Sequence, residues 1–207
     1  MNAPDPSSPR HARPVLAADV ERLAHGSAAG DPYARIELAH ATAAAVVGAG
    51  RTDASTGHLI ALADTVGLDT LAELWRDAEP DSLPGALWSL YLLRTWCMRH
   101  ADEVARLYRA GRGVAPVDEV VAGVGAEADP DAVRQVADDV LRGLYDGELD
   151  VALERAAALF RVVGAGREWH AAEDASGDAE RERAGRNRDA AAALARAAEA
   201  WRAGTLH

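Results

Sequence analysis

The stretch Ser82–Arg112, SLPGALWSLYLLRTWCMRHADEVARLYRAGR, carries the strongest helical pattern in the chain. Ser82 is suited to cap a first turn that contains Pro84, and Gly111 provides a stop. At about 100° per residue, the first half is apolar on nearly every side, whereas the second half has one apolar and one charged face. The spacing therefore predicts a central buried helix at about 84–110, which enters the protein among neighbours and leaves it half exposed.

The rest of the chain predicts an all-α fold. Hydrophobic residues make up 49% of the 207 residues, and Ala, Leu and Arg outnumber the β-branched types, which favours helices over strands. The dipeptides at 31–32 and 129–130 are both Asp-Pro, a helix cap followed by a first-turn proline. We expect an irregular bundle of seven to nine helices around the central one. The other predicted helices are 15–29, 32–47, 54–66, 70–77, 116–124, 132–145, 149–163 and 189–203.

Three segments are predicted along the chain. Residues 1–14 are rich in Pro and Ser and are expected to form a disordered N-terminal arm. Residues 15–166 form the helical bundle domain, because the regular pattern ends at the glycines Gly164 and Gly166. Residues 167–207 then form a charged linker and a C-terminal amphipathic helix.

The net charge, the single cysteine and the absence of long apolar runs argue against several classes of function. The chain carries 22 basic and 33 acidic residues, a net charge of −11, which argues against binding nucleic acid or anionic membranes. Its one cysteine, Cys97, rules out an internal disulfide framework, and no apolar run reaches the ~20 residues of a membrane span. No signal-peptide pattern is visible at the N-terminus, so we expect a cytoplasmic protein.

The central helix also carries the candidate binding residues. Aromatic side chains with arginine at helical spacing are typical of interface hot spots, and equally of any core helix. Arg94 falls in the half that is apolar all round, so it needs either an internal ion pair, with an acid such as Glu73 or Asp77 of the preceding helix, or an anionic ligand to clamp. His100 lies on the apolar arc, where a histidine is usually a satisfied core or interface residue. The candidate ligand- or partner-binding residues are Trp88, Tyr91, Arg94, Thr95, Arg99 and His100.

Metal and catalytic signals are weak. Glu37 and His40 have the Glu-x-x-His spacing of carboxylate-bridged metal bundles, but it occurs once, whereas those bundles use it twice. His100 is the remaining metal candidate, and we predict no metal site. Cys97 is interpreted as a small buried hydrophobe, and no phosphate loop, nucleophile elbow or His-Glu-x-x-His motif is present. No catalytic residue and no cofactor are predicted.

The function expected from these observations is a non-catalytic helical interaction or regulatory module. Its partner is another protein or a second copy of the chain as a homodimer, with no nucleic acid and no membrane. The first alternative is a domain that binds a small-molecule ligand in a pocket near the central helix, lined by Trp88, Arg94, Trp96 and His100. The second is a helical-bundle metalloprotein that uses His40 and His100.

Overall fold

The protein is an all-α multi-helix bundle, as the sequence predicts. A computed structural model describes residues 32–49, 68–125, 127–145, 147–173 and 177–207, and within these ranges every regular element is a helix. None of the helices in those ranges combines the length and apolar content that crossing a membrane requires. The predicted arm 1–14 and the predicted helices 15–29 and 54–66 lie outside the described residues. The helices are α1 (Pro32–Ala49), α2 (Leu68–Trp75), α3 (Leu83–Arg99), α4 (Ala101–Gly111), α5 (Pro116–Ala122), α6 (Pro130–Tyr145), α7 (Leu149–Glu173) and α8 (Gly177–Arg202).

Two of the predicted helix starts show the expected caps. The Ser82 hydroxyl accepts a hydrogen bond from the Gly85 N–H at 3.3 Å, and Pro84 lies in the first turn of α3. The Asp129 carboxylate accepts from the Ala132 N–H at 2.7 Å at the start of α6. These side chains satisfy N–H groups that have no partner inside the helix, which fixes where each helix begins.

The predicted central helix is interrupted at His100. There the backbone has φ −130° and ψ 38°, so the stretch forms two helices, α3 and α4, and the prediction of one continuous helix was wrong at this residue. Asp102 and Glu103 occupy the first turn of α4, where negative side chains interact favourably with the helix N-terminus. The apolar face predicted for the second half is confirmed, since Val104 and Leu107 are fully buried.

All of the described helices contribute buried residues to the core. Helix α7 contacts α3, α4, α5, α6 and α8, and it continues through Gly164 and Gly166, where the sequence pattern predicted an end. Gly166 packs directly on the backbone of α4, and a Cβ there would overlap the carbonyl oxygen of Leu107. Gly111 of α4 does the same to the carbonyl oxygen of Val162. Gly111 and Gly166 are therefore positions of close helix crossing, and Gly166 does not end α7.

The C-terminal segment is packed along the bundle. Helix α8 begins at Gly177, twelve positions before the predicted start at 189, and runs antiparallel to α7, with Ala191, Leu194, Ala197 and Ala198 buried. The predicted boundary between 166 and 167 falls inside α7. Most of the charged residues expected to form a linker instead occupy the solvent-facing side of two paired helices, whereas Arg167 is buried between them.

Candidate functional site

The predicted binding residues of α3 lie along one helix but differ in exposure. The rings of Trp88 and Tyr91 are stacked, with centroids 5.5 Å apart and planes at 21°. Both residues and Thr95 are half-buried, and Trp88 packs against the core. Arg99 is exposed at the end of the helix. The aromatic pair is therefore part of the wall of the bundle, with its outer edge in solvent.

Arg94 forms an ion pair, but with a partner that the sequence did not indicate. Its Nε donates to Asp138 Oδ1 at 2.9 Å, which joins α3 to α6. The predicted partners Glu73 and Asp77 both pair with Arg76 instead. The Arg94 side chain is 37% exposed, so the expectation of a buried guanidinium was also wrong. With a carboxylate already on its Nε, Arg94 is poorly placed to clamp an anionic ligand.

His100 is exposed in the single chain, so the expectation of a core position for this histidine was wrong. The reason is the break between α3 and α4. His100 lies in this break, so it is not on the apolar face that continuous helical spacing predicts for it.

The metal-ligand candidates of α1 lie near its surface. Glu37 is exposed, and His40 is half-buried. Within the described ranges no three His, Cys, Asp or Glu side chains gather in a group that could hold a metal ion. These residues thus form no ligand set for the predicted metalloprotein alternative.

A buried arginine that the sequence analysis missed joins four helices. Arg167 of α7 is 6% exposed; its Nη1 donates to Glu180 of α8 at 2.8 Å and its Nη2 to Glu103 of α4 at 3.0 Å. Its guanidinium lies 5.4 Å from the centroid of the Trp96 ring of α3, within the range of a cation–π contact. We call these four residues the Arg167 cluster. The sequence analysis missed Arg167 because it ended this helix at Val163 and assigned the arginine to a linker outside the bundle.

The electrostatics of the Arg167 cluster favour a structural role. Burial raises the pKa of Glu180, but hydrogen bonds and charges from Arg167 and Arg183 outweigh it and leave the pKa below its ordinary value. The carboxylate is therefore ionised and engaged, which makes it a poor general base. The Nε of Arg167 has no hydrogen-bond partner, because the guanidinium directs its terminal nitrogens, Nη1 and Nη2, at the two glutamates.

Helix α5 exposes an apolar face. Val114, Val117, Val120 and Val121 are 65%, 75%, 79% and 40% exposed, and we call them the valine surface. The helix beneath them is fixed, since Ala122 is fully buried. The four valines within eight residues are visible in the sequence. Because the predicted helix there is short and lies between glycines, its pattern did not indicate that the valines face solvent.

Two polar contacts hold α5 against the bundle. The Tyr108 hydroxyl of α4 donates to the carbonyl oxygen of Glu119 at 3.0 Å, and Arg161 of α7 donates to Asp118 at 3.0 Å. Burial, and then the charge of Glu119, raise the pKa of Tyr108 to about 12, so the hydroxyl remains a donor at neutral pH. The valine surface is therefore presented on a fixed backbone.

Two cavities border His40. The first, of about 310 Å³, lies between the first half of α1 and the turn after α2, and we call it the Asp77 cavity. The second, of about 320 Å³, lies between the second half of α1, Leu83 and the C-terminal turn, and we call it the His207 cavity. Trp75 Nε1 donates to Thr42 Oγ1 at 3.1 Å and fixes α1 to α2. The described residues that line the Asp77 cavity are Pro32, Arg35, Ile36, Ala39, His40, Leu74, Asp77, Ala78 and Glu79.

Cys97 is fully buried, as the sequence predicts. Burial raises its pKa from 9.0 to about 12, so the thiol is protonated at neutral pH and is a poor nucleophile.

Comparison with known proteins adds no functional assignment: no family model, curated protein or solved structure matches this chain. The function has to be inferred from the surfaces and cavities of the molecule itself.

Proposed function

We propose that this protein is a non-catalytic helical interaction module that binds a basic, apolar-faced segment of a partner protein through the valine surface. The observation that carries the proposal is the exposure of three valines on the fixed helix α5 and of Val114 just before it. Contiguous exposed apolar side chains on a folded protein typically mark interaction sites. The cytoplasm is the expected compartment.

Charge supports a partner that is basic. Helix α5, PVDEVVA, carries two acids and no base, and the whole chain has a net charge of −11. Rim charges of one sign steer a partner of the opposite sign and disfavour a like-charged one. A second copy of this chain would carry the same negative charge, which favours a different, basic protein over a homodimer as the partner.

Site-specific photocrosslinking in the native host tests the proposal. A photoreactive amino acid replaces Val117, with Ala179, which is exposed on α8, as the control position. We expect one discrete adduct at position 117 and none at 179. Val120→Asp should abolish the adduct, whereas Val151→Asp, at an exposed valine of α7, should leave it intact.

The mass of the adduct distinguishes the partners. A product near twice the 21.8 kDa of this chain identifies a second copy, and any other mass identifies a different protein. Light scattering of the purified protein checks the first result, because a homodimer must also form at micromolar concentration. An absence of any position-specific adduct contradicts the proposal.

A further inference from the structure

Trp169 of α7 is the exposed member of the five tryptophans in this chain. It is 55% exposed, whereas the other four are buried or half-buried. The helix is fixed at this point, because Arg167 and Ala171 on either side of Trp169 are buried. An indole is a large apolar body with one polar edge, and such side chains dominate the energetics of cores and interfaces. The packing of α7 does not account for an indole in water.

Contacts with α5 show how that helix lies along α7. Arg161 donates to Asp118 at 3.0 Å, and a Cβ built on Gly123 would lie 3.3 Å from Nη2 of Arg155. Residue numbers therefore rise along α5 as they fall along α7, so the two helices are antiparallel. The start of α5 then lies beside the part of α7 that follows Arg161.

Val114, the first residue of the valine surface, lies at this end of α5. Its N–H donates to the carbonyl oxygen of Gly111 at 3.0 Å, and a Cβ built on Gly111 would lie 2.6 Å from the backbone nitrogen of Gly166. Trp169 follows Gly166 by three positions, which is less than one helical turn. Val114 and Trp169 are therefore neighbours along the length of α7.

Helical spacing places Trp169 on the α5 side of α7. Residues four apart in a helix lie on one face, which groups Arg161, Ala165 and Trp169. Arg161 is the member that reaches α5, and Ala165 between the other two is half-buried. Trp169 therefore extends the valine surface beyond Val114, and the exposed apolar area spans two helices.

The ring of Trp169 has an open face. The Trp96 ring has the guanidinium of Arg167 at 5.4 Å from its centroid, but within the described ranges no ring or guanidinium holds such a position on Trp169. The face of an aromatic ring attracts a cation through the ring quadrupole, and tryptophan does so more strongly than tyrosine or phenylalanine. The open ring is therefore suited to an arginine or lysine side chain of another protein.

We propose that Trp169 is the anchor of the interface and stacks against an arginine or lysine side chain of the partner segment, while apolar side chains of that segment cover the valine surface. This inference rests on the proposed function, because it names a residue and a contact of the same interface. Tryptophan and arginine are enriched among the residues that dominate binding. The net charge of −11 and the two acids of α5 favour the approach of a cation.

The photocrosslinking assay at position 117 tests the anchor. Trp169→Gln removes the ring and leaves an uncharged side chain that suits a helix, so it should lower the yield of the adduct about fivefold or more. Trp169→Phe keeps an aromatic face and should retain more adduct than Trp169→Gln. Because Trp169 is exposed, both variants should unfold at the wild-type temperature to within about 3 °C by circular dichroism.

A series of charges at the same position tests the cation. Trp169→Glu offers the cation a carboxylate and should give about threefold more adduct than Trp169→Gln, whereas Trp169→Arg repels the cation and should give about threefold less. The net charge of the whole chain also attracts a basic partner, so Ala179→Gln, Ala179→Glu and Ala179→Arg measure that general effect at an exposed position of α8. The yields of these three controls should differ by less than about 1.5-fold, because exposed charges far from the contact are screened.

The outcomes separate this inference from the proposed function. If no adduct forms at position 117 with Trp169 in place, both fail. If the adduct forms and Trp169→Gln leaves its yield unchanged, the valine surface binds a partner without this anchor, and this inference alone fails. Equal yields from Trp169→Glu and Trp169→Arg would also overturn it, because they remove the cation. An adduct of twice the mass of this chain would do the same, since the partner would then be an acidic second copy.

Discussion

Substitution of Gly166 by alanine should destabilise the protein, although alanine is the better helix former. In a helix, replacing glycine by alanine normally stabilises by about 1 kcal/mol. At Gly166 the added methyl would overlap the carbonyl oxygen of Leu107, which belongs to the backbone of α4 and cannot rotate away. Helices α4 and α7 must therefore separate at their crossing, where Val162 and Tyr108 are fully buried.

The magnitude follows from the two opposing effects. Overpacking in a core costs about 1–3 kcal/mol when side chains can adjust, and a clash with backbone belongs at the upper end or above it. Subtracting the propensity gain of about 1 kcal/mol leaves a net loss of about 2 kcal/mol in the free energy of unfolding. Gly111→Ala, which meets the carbonyl oxygen of Val162, should lose a similar amount.

Two control variants separate the clash from glycine in general. Gly185→Ala in α8 meets only the end of the Arg188 side chain and should gain about 0.5–1 kcal/mol. Gly164→Ala, in α7 itself, makes only ordinary van der Waals contacts and should likewise gain about 0.5–1 kcal/mol. Urea unfolding followed by circular dichroism measures all of them. If Gly166→Ala were as stable as Gly185→Ala, the close crossing of α4 and α7 would be refuted.

Three further predictions concern single side chains. Because the pKa of Glu180 lies below its ordinary value of 4.5, its ionised form stabilises the folded state above pH 4.5, and this contribution is lost as the pH falls through the folded-state pKa. The difference in urea stability between wild type and Glu180→Gln should therefore shrink below pH 4.5, and a difference that stays constant with pH would contradict the reasoning. Cys97, whose pKa is about 12, should react with a thiol reagent only as fast as the protein opens, so rapid stoichiometric labelling in native buffer would show that its burial is wrong. Tyr108→Phe removes the donor to the Glu119 carbonyl and should cost about 1 kcal/mol, with faster amide exchange in α5; unchanged exchange there would mean that the hydroxyl does not hold this helix.

Local capping signals in the sequence predicted the starts of two helices. The hydroxyl of Ser82 and the carboxylate of Asp129 determine where α3 and α6 begin, because capping depends on residues within three positions of each other. The burial of Leu107 and Leu194 also follows from helical spacing alone. Properties that depend on near neighbours in the chain are therefore recoverable without a structure.

Properties that depend on distant residues were not recoverable. Glycine ends a helix in one context and permits a close crossing in another, and only the position of α4 decides which applies to Gly166. The partner of Arg94 is Asp138, 44 positions away, and nothing local distinguishes it from other acids. The cavities beside His40 likewise depend on distant residues, because α1 meets the turn after α2 at one of them and the C-terminal turn at the other.

The Arg167 cluster also implies an order of assembly. Glu180 is 13 positions from Arg167, whereas Glu103 is 64 positions from it, so closing the first contact restricts a much shorter loop of chain. The hairpin of α7 and α8 can therefore form early in folding, with one side of the guanidinium already occupied, and α4 joins it in a later and slower step. A partly folded state with α7 and α8 paired would leave the other side of Arg167 in water, and the arrival of Glu103 and Trp96 would complete its burial.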